Sequence, residues 1–210
     1  MKRIFILLIF FICSILYAES TLNTFFSISL HEKKIELLGR QKGENKFEDN
    51  KILLIKDKEE KILDKLNIFF PDTSYRGSVL VSDDAVAFRV TIKEPYRNCF
   101  IYTNSNINKF VFYDCTKWVA DGILLKNYIL YSTEFDNDTI KRIDLSTKEM
   151  YSYEGYFPNV NIYEVSEEDI LGVFEYDGIW YEIYNDVIKK SIKKYAVSKI
   201  DINNYFFVHY

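Results

Sequence analysis

Short runs of β-branched and aromatic residues alternate with polar clusters along most of the chain. Between residues 122 and 153 there are four such runs, which begin at Gly122, Tyr128, Thr139 and Met150. Apolar runs of this length, bounded by Asp, Asn, Ser and Thr, are typical of strands joined by turns. The stretch therefore predicts a four-stranded antiparallel meander with short loops.

The same alternation recurs on both sides of this meander. Asp177-Gly178 stands between two apolar runs and predicts a tight hairpin turn, in which both central residues need a positive φ. The recurrence divides the chain into units of similar length. We place these predicted units at about 78–115, 122–153 and 160–192, with a partial unit at 197–210.

The first third of the chain is less regular. Residues 24–30 and 52–56 have the composition of strands, and 59–66 fits either a short helix or a strand. The segment between the two strands, Gly39 to Asn45, is polar and holds two glycines. That composition predicts a loop.

The spacing of the units bears on the fold class, which is all-β. Their second strands begin at Ala85, Tyr128, Ile170 and Tyr205, at intervals of 43, 42 and 35 residues. Repeats of about 40–45 residues with four strands each are typical of propeller blades. The segment NYILYSTEFDNDTIKRIDLSTKE resembles blades of bacterial β-propeller-like repeat proteins.

That resemblance covers about residues 78–210 and implies a small or incomplete β-propeller. It carries no diagnostic motif, because neither a Trp-Asp dipeptide nor a Gly-His pair of the WD40 type is present. No functional residue is transferred from it. The alternative is an open antiparallel β-sandwich in which the units are successive meanders.

The first eighteen residues have the pattern of a secretory signal. Lys2 and Arg3 precede an uncharged apolar run from Ile4 to Tyr17, and Ala18 stands before Glu19. A basic start, a short apolar core and a small residue predict cleavage between Ala18 and Glu19. Acylation of Cys13 is an alternative, although Ile12 is a poor match to the small residue that a lipoprotein signal needs. We expect 19–210 to form one β-rich domain in the periplasm or outside the cell.

Charge and composition limit the classes of partner that can be expected. The net charge is −4, so the chain has no basic excess to attract nucleic acid. No integral membrane segment is expected after signal cleavage. The 17 Tyr and 17 Phe suggest rings that stack on sugars, but an AT-rich coding bias that strands absorb explains much of the excess.

The two cysteines beyond the signal suggest a structural disulfide. Cys99 and Cys115 flank a short segment, and a hairpin centred on Ile107 would place them directly opposite each other. An exported chain favours the bond. Two free thiols are the alternative.

Catalytic and metal-binding sets are hard to find in the sequence. His31 and His209 are too few for a zinc site or a convincing triad, and we expect no cofactor. Acidic clusters such as Asp136-Asn137-Asp138 stand where turns favour Asp and Asn, so we interpret them as turns. A pair of these carboxylates acting in glycoside hydrolysis stays an alternative.

Aromatic side chains on one side of a strand are the remaining candidates for a binding surface. Trp180 and Tyr184 are predicted to share a face of their strand, with Tyr181 on the opposite face. Together with Trp118 they are our candidate binding residues. The sequence thus predicts an exported, non-enzymatic interaction module for a protein or glycan of the cell envelope, with a carboxylate-based hydrolase as the alternative.

Overall fold

The protein is built from antiparallel β-strands. A computed structural model describes residues 22–43, 46–70, 79–93, 96–116, 119–134 and 139–198, and its regular elements there are all strands. The all-β prediction is confirmed. The strands are β1 (Leu22–Leu30), β2 (Lys33–Gly43), β3 (Lys46–Asp57), β4 (Ile62–Phe69), β5 (Val79–Val81), β6 (Ala85–Lys93), β7 (Tyr96–Asn104), β8 (Val111–Asp114), β9 (Val119–Leu124), β10 (Tyr128–Thr133), β11 (Ile140–Asp144), β12 (Met150–Ser152), β13 (Gly172–Tyr176), β14 (Ile179–Ile183) and β15 (Ile188–Lys190).

The first eight strands form one sheet that consists of two halves. Its order is β1-β2-β3-β4-β6-β7-β8, and β5 pairs with β6 beside this path. β4 and β6 are joined through the single pair Phe69–Thr91, whereas β5 occupies the same edge of β6 at residues 86–88. The halves β1–β4 and β5–β8 are therefore two antiparallel groups connected at one point.

Two smaller sheets complete the described structure. β9–β12 form a four-stranded sheet in the order β12-β11-β10-β9, which confirms the meander predicted for this stretch. β13–β15 form a three-stranded sheet whose first hairpin turns at Asp177-Gly178. The φ values of these two residues are 52° and 74°, so the predicted turn is confirmed.

Three apolar cores lie between the four strand groups, and each core joins two neighbouring groups. Phe26 and Phe88 meet edge to face at 5.2 Å in the first core, which joins β1–β4 to β5–β8. Phe100 and Tyr131 meet at 5.6 Å in the second core, which joins β5–β8 to β9–β12. The third core contains Leu130 from β10 and Phe174 from β13. Because successive residues of a strand face opposite sides, each inner group contributes to two cores, and the groups follow one another in chain order.

Two local predictions were wrong. The segment from Gly39 to Asn45 was predicted to be a loop, but β2 continues to Gly43, with Arg40 paired to Leu22 and Gly39 paired to Lys51. Pairing on both edges, with local register shifts, outweighs the polar composition of this stretch.

Residues 160–165 open the predicted unit 160–192, and their composition predicts a strand, but they keep a single bridge, between Tyr163 and Val173. The neighbouring backbone groups bind side chains of the preceding sheet instead. The Ile162 N–H donates to the Asp121 carboxylate at 2.8 Å, and the Ser132 hydroxyl donates to the Val160 carbonyl at 2.7 Å.

The remaining predictions of organisation stay predictions. The signal segment 1–18, with Cys13, Ala18 and Glu19, lies outside the described residues, as do Asp136-Asn137-Asp138 and residues 199–210 of the partial unit. The described ranges contain no helix with the length and apolarity of a membrane span.

Candidate functional site

The outward face of the last sheet carries the aromatic residues singled out in the sequence. Trp180 pairs with Glu175 and Tyr181 pairs with Phe174 across β13 and β14. Tyr181 packs in the third core and stacks on Phe174 at 5.2 Å, with 9° between the rings. Trp180, which precedes it, and Tyr184 therefore lie on the side of the sheet away from this core, as predicted.

Two further tyrosines join Trp180 on this side. The ring centroids of Tyr163 and Tyr195 lie 6.3 Å and 5.5 Å from that of Trp180, both tilted against it. All three side chains are half-buried, as is Tyr184. We call Tyr163, Trp180, Tyr184 and Tyr195 the aromatic face. Its members come from three segments of the chain, so sheet pairing and the fold of residues 191–195 bring them together.

Glu182 holds part of the aromatic face in place. Its carboxylate accepts hydrogen bonds from the hydroxyls of Tyr184, Ser191 and Tyr195, each at 2.6 Å. These bonds hold the pKa of Glu182 below its usual value, with the Ser191 hydroxyl making the largest contribution. The same carboxylate raises the pKa of Tyr184 through the hydrogen bond, whereas burial is the main cause that raises the pKa of Tyr195 to about 12. The phenols therefore stay protonated at neutral pH and act as donors.

Two lysines lie close to the aromatic face. The Lys189 ammonium lies 4.7 Å from the centre of the Tyr184 ring, a distance suited to a cation–π interaction. Lys193 donates to Glu167 at 2.5 Å, and this bond raises the pKa of Lys193. The surface combines aromatic rings with hydroxyl and ammonium groups at its border. Such a surface can stack on an apolar ligand face and bind its polar groups.

Sequence reasoning missed half of this arrangement. Glu182 stands between Trp180 and Tyr184 in a strand of alternating pattern, so its position on the same face was readable from the sequence. The positions of Tyr163 and Tyr195 could not be predicted from the sequence, because they depend on a single backbone bridge and on the course of residues 191–195. Trp118, the third candidate, lies outside the described residues.

The cysteines are one register step away from the predicted pairing. Cys99 pairs with Asp114, and the Cys115 N–H donates to the Asn98 carbonyl, so the prediction that Cys99 faces Cys115 was wrong. The loop of this hairpin is centred half a residue earlier than assumed, and a one-residue slip turns a side chain to the other face of the sheet. Cys99 accordingly packs in the first core and Cys115 against the second.

Both thiols are free in the structure. Burial is the main cause that raises the pKa of Cys99 to about 11 and the pKa of Cys115 to about 12. A thiol with so high a pKa carries almost no thiolate at neutral pH and is a poor nucleophile. The disulfide stays a prediction. The strand register on which its geometric argument depended is not the register of the structure.

One carboxylate stands out electrostatically. Burial and the nearby charge of Asp83 raise the pKa of Glu164. Asp83 belongs to the turn between β5 and β6, and Glu164 follows the bridge at Tyr163. Within the described part of the chain, no cluster of three or more His, Cys, Asp or Glu side chains has the geometry to hold a metal ion.

Comparisons with known proteins place this chain in no family. No family model matches it. No curated protein matches it either. Among solved structures, it is similar to an acylaminoacyl peptidase in complex with Z-Gly-Gly-Phe-chloromethyl ketone, at 12% sequence identity and a TM-score of 0.42. The match covers 82% of this chain and 33% of the peptidase chain, so this chain spans about a third of the length of that structure.

Proposed function

We propose that the protein is an exported, non-enzymatic interaction module that binds a glycan or a protein of the cell envelope through the aromatic face. The observation that carries the proposal is the ordered state of this face on the outside of the last sheet. Glu182 fixes two of its tyrosines and the segment beside them. Side chains that are already ordered lose less conformational entropy when a ligand binds.

The chemistry of the aromatic face fits either partner. Tyr and Trp combine a large apolar surface with a polar group, which is why they are enriched at protein interfaces. The same rings can stack on the apolar side of a sugar, while the hydroxyls and Lys189 bind its oxygens.

We further propose that the four strand groups are blades of a small or incomplete propeller. Three features support this arrangement: antiparallel groups that follow in chain order, a core between each neighbouring pair, and contact between the first strands β5 and β9 of adjacent groups. In this arrangement the single bridge at Tyr163 marks the first strand of the last blade. The open sandwich stays the alternative.

Replacing Trp180 by alanine is expected to weaken ligand binding at least tenfold. Buried Trp side chains at the centre of an interface commonly contribute about 2 kcal/mol or more. The measurement is a glycan array and a panel of purified envelope polysaccharides, followed by titration of the best ligand. Tyr156→Ala is the control, because Tyr156 is 61% exposed and lies outside the aromatic face. Binding to none of the glycans, or equal loss with the control variant, would contradict a glycan site at Trp180.

The hydrolase alternative has one observation in its favour, the raised pKa of Glu164 beside Asp83. Glycoside hydrolysis uses a pair of carboxyl groups, of which the general acid has a raised pKa. The same glycans therefore need analysis for shorter products after incubation. Products that disappear with Glu164→Gln would support this function instead of the interaction module.

Export predicts a specific mature terminus. We expect the intact mass of the exported protein to correspond to a chain that begins at Glu19, as the small residue before the cut indicates. A mass that includes lipid on Cys13 would show anchoring, and the full-length mass would contradict export with cleavage.

Alkylation of the unfolded, unreduced protein, followed by the same mass measurement, shows whether Cys99 and Cys115 are free thiols. Two adducts correspond to free thiols, and none to a disulfide.

A further inference from the structure

A cleft of about 480 Å³ opens at the point where the two halves of the first sheet are joined. It lies beside the single pair Phe69–Thr91, where β4 leaves β6 and the halves diverge. A volume of this size is in the range of small-molecule sites. The cleft is separate from the aromatic face, since its lining comes from β1–β4 and β6.

Neutral polar groups lie side by side in this cleft. Asn50 and Thr91 are the neighbours of Phe69 on the adjacent strands, and Asn67 precedes Phe69 by two positions. These four side chains therefore share the face turned away from the first core. Both Asn side chains are exposed, and the Thr91 hydroxyl donates to Asn98 at 3.0 Å, which leaves its oxygen able to accept. Asn50 pairs with Phe69 and Asn67 pairs with Ile52, so the two amides are diagonal neighbours on adjacent strands, roughly 7–8 Å apart.

Charge is distributed unevenly around these groups. Arg40 is exposed at the margin of the cleft, next to Leu22, and within the described ranges no carboxylate forms a salt bridge with it. Lys51 also lines the cleft, and its buried ammonium donates to the carbonyls of Glu48 and Phe70 at 3.0 and 2.7 Å. The Glu48 side chain is the one carboxylate of the described lining. The Lys51 ammonium lies on the core side, over the Phe25 ring, so Arg40 is the exposed cation of the described lining.

We infer that this cleft binds an acidic saccharide, a uronic acid or a short oligomer of one. The Arg40 guanidinium matches a carboxylate in a bidentate arrangement. The amides of Asn50 and Asn67, with the Glu48 carboxylate and the Thr91 hydroxyl, match the hydroxyls around a pyranose ring. Phe69 and Ile52 share the face of these polar groups and, with Leu22 at the margin, supply apolar surface on which the sugar ring can lie.

Glucuronate and its short oligomers are the probes, measured by titration and by ligand-observed NMR. We expect glucuronate to bind the wild-type protein. Arg40→Gln should weaken this binding at least tenfold, because a charge-assisted hydrogen bond is lost. Asn67→Ala should weaken it several-fold. Glucose, which has the hydroxyls without the carboxylate, should bind at least tenfold more weakly than glucuronate.

Matched controls separate the cleft from general charge and from the aromatic face. Lys126→Gln and Asn127→Ala alter exposed residues in the turn between β9 and β10 and should leave binding unchanged. Trp180→Ala should also leave it unchanged, so that loss of the function proposed above and loss of this site are distinguishable. The inference is overturned if glucuronate fails to bind at about 10 mM, weaker than a useful affinity. Equal binding of glucose, or equal loss with Lys126→Gln, would overturn it too.

Discussion

Replacing Phe88 by alanine is expected to lower the free energy of unfolding by about 4 kcal/mol, within the usual range for a buried Phe. Phe88 is fully buried between the halves of the first sheet. Its ring meets Phe26 at 5.2 Å and Phe70 at 6.4 Å, both edge to face. The substitution removes the apolar contacts and leaves a cavity that β-strands on both sides cannot easily fill. Since small domains have only about 5–15 kcal/mol of stability, much of it would be lost.

Urea denaturation followed by circular dichroism measures this loss. Ile192→Ala is the control, because Ile192 is fully exposed and its truncation should change stability by less than about 0.5 kcal/mol. A loss below about 1.5 kcal/mol for Phe88→Ala would be too small for a fully buried aromatic. It would contradict the shared core between β1–β4 and β5–β8.

The strands could be predicted from the sequence to a large extent because their signals are local. Alternation of apolar and polar residues and the turn residues between them located β10 at Tyr128–Thr133 and the hairpin at Asp177-Gly178. These features depend on side-chain direction and backbone φ over a few residues. They do not depend on distant parts of the chain.

What the sequence could not show depends on pairing between strands. Gly39 to Gly43 has the composition of a loop, yet it is strand because β1 pairs with it as far as Arg40 and β3 pairs with it as far as Gly43. The hairpin register that separates Cys99 from Cys115 depends on the course of a loop, and one residue of error reverses the conclusion. The contacts of Tyr163 and Tyr195 with Trp180 could not be predicted for the same reason. Likewise, the cleft beside Phe69 and Thr91 exists because two halves of one sheet diverge there.

Replacing Glu182 by alanine is expected to destabilise the protein by about 2 kcal/mol at pH 7, since three hydroxyls lose a charged acceptor in a half-exposed site. The effect depends on pH. Because the folded-state pKa of Glu182 lies below its unfolded value of about 4.3, its contribution is present above that pH and is lost as the pH falls through the folded pKa. The stability difference between wild type and Glu182→Ala should therefore shrink towards pH 3.

At the alkaline end the same cluster loses stability through its phenols. The pKa of Tyr195 is about 12 in the folded protein and about 10 in an unfolded chain, so the wild type loses stability above pH 10 as the unfolded phenol ionises first. The charge of Lys193 adds to the lowering of the Glu182 pKa and opposes the rise of the Tyr184 pKa. Glu175→Ala removes a neighbouring exposed carboxylate opposite Trp180 and serves as the control. Because the variant keeps the burial of Tyr195, the alkaline limb of the difference comes mainly from the Tyr184 hydroxyl, whose pKa is raised chiefly by its hydrogen bond to Glu182. Urea unfolding from pH 3 to 11 should show a difference that falls towards both limits for Glu182→Ala and a flat one for Glu175→Ala. A flat profile for both would mean that Glu182 does not hold the aromatic face.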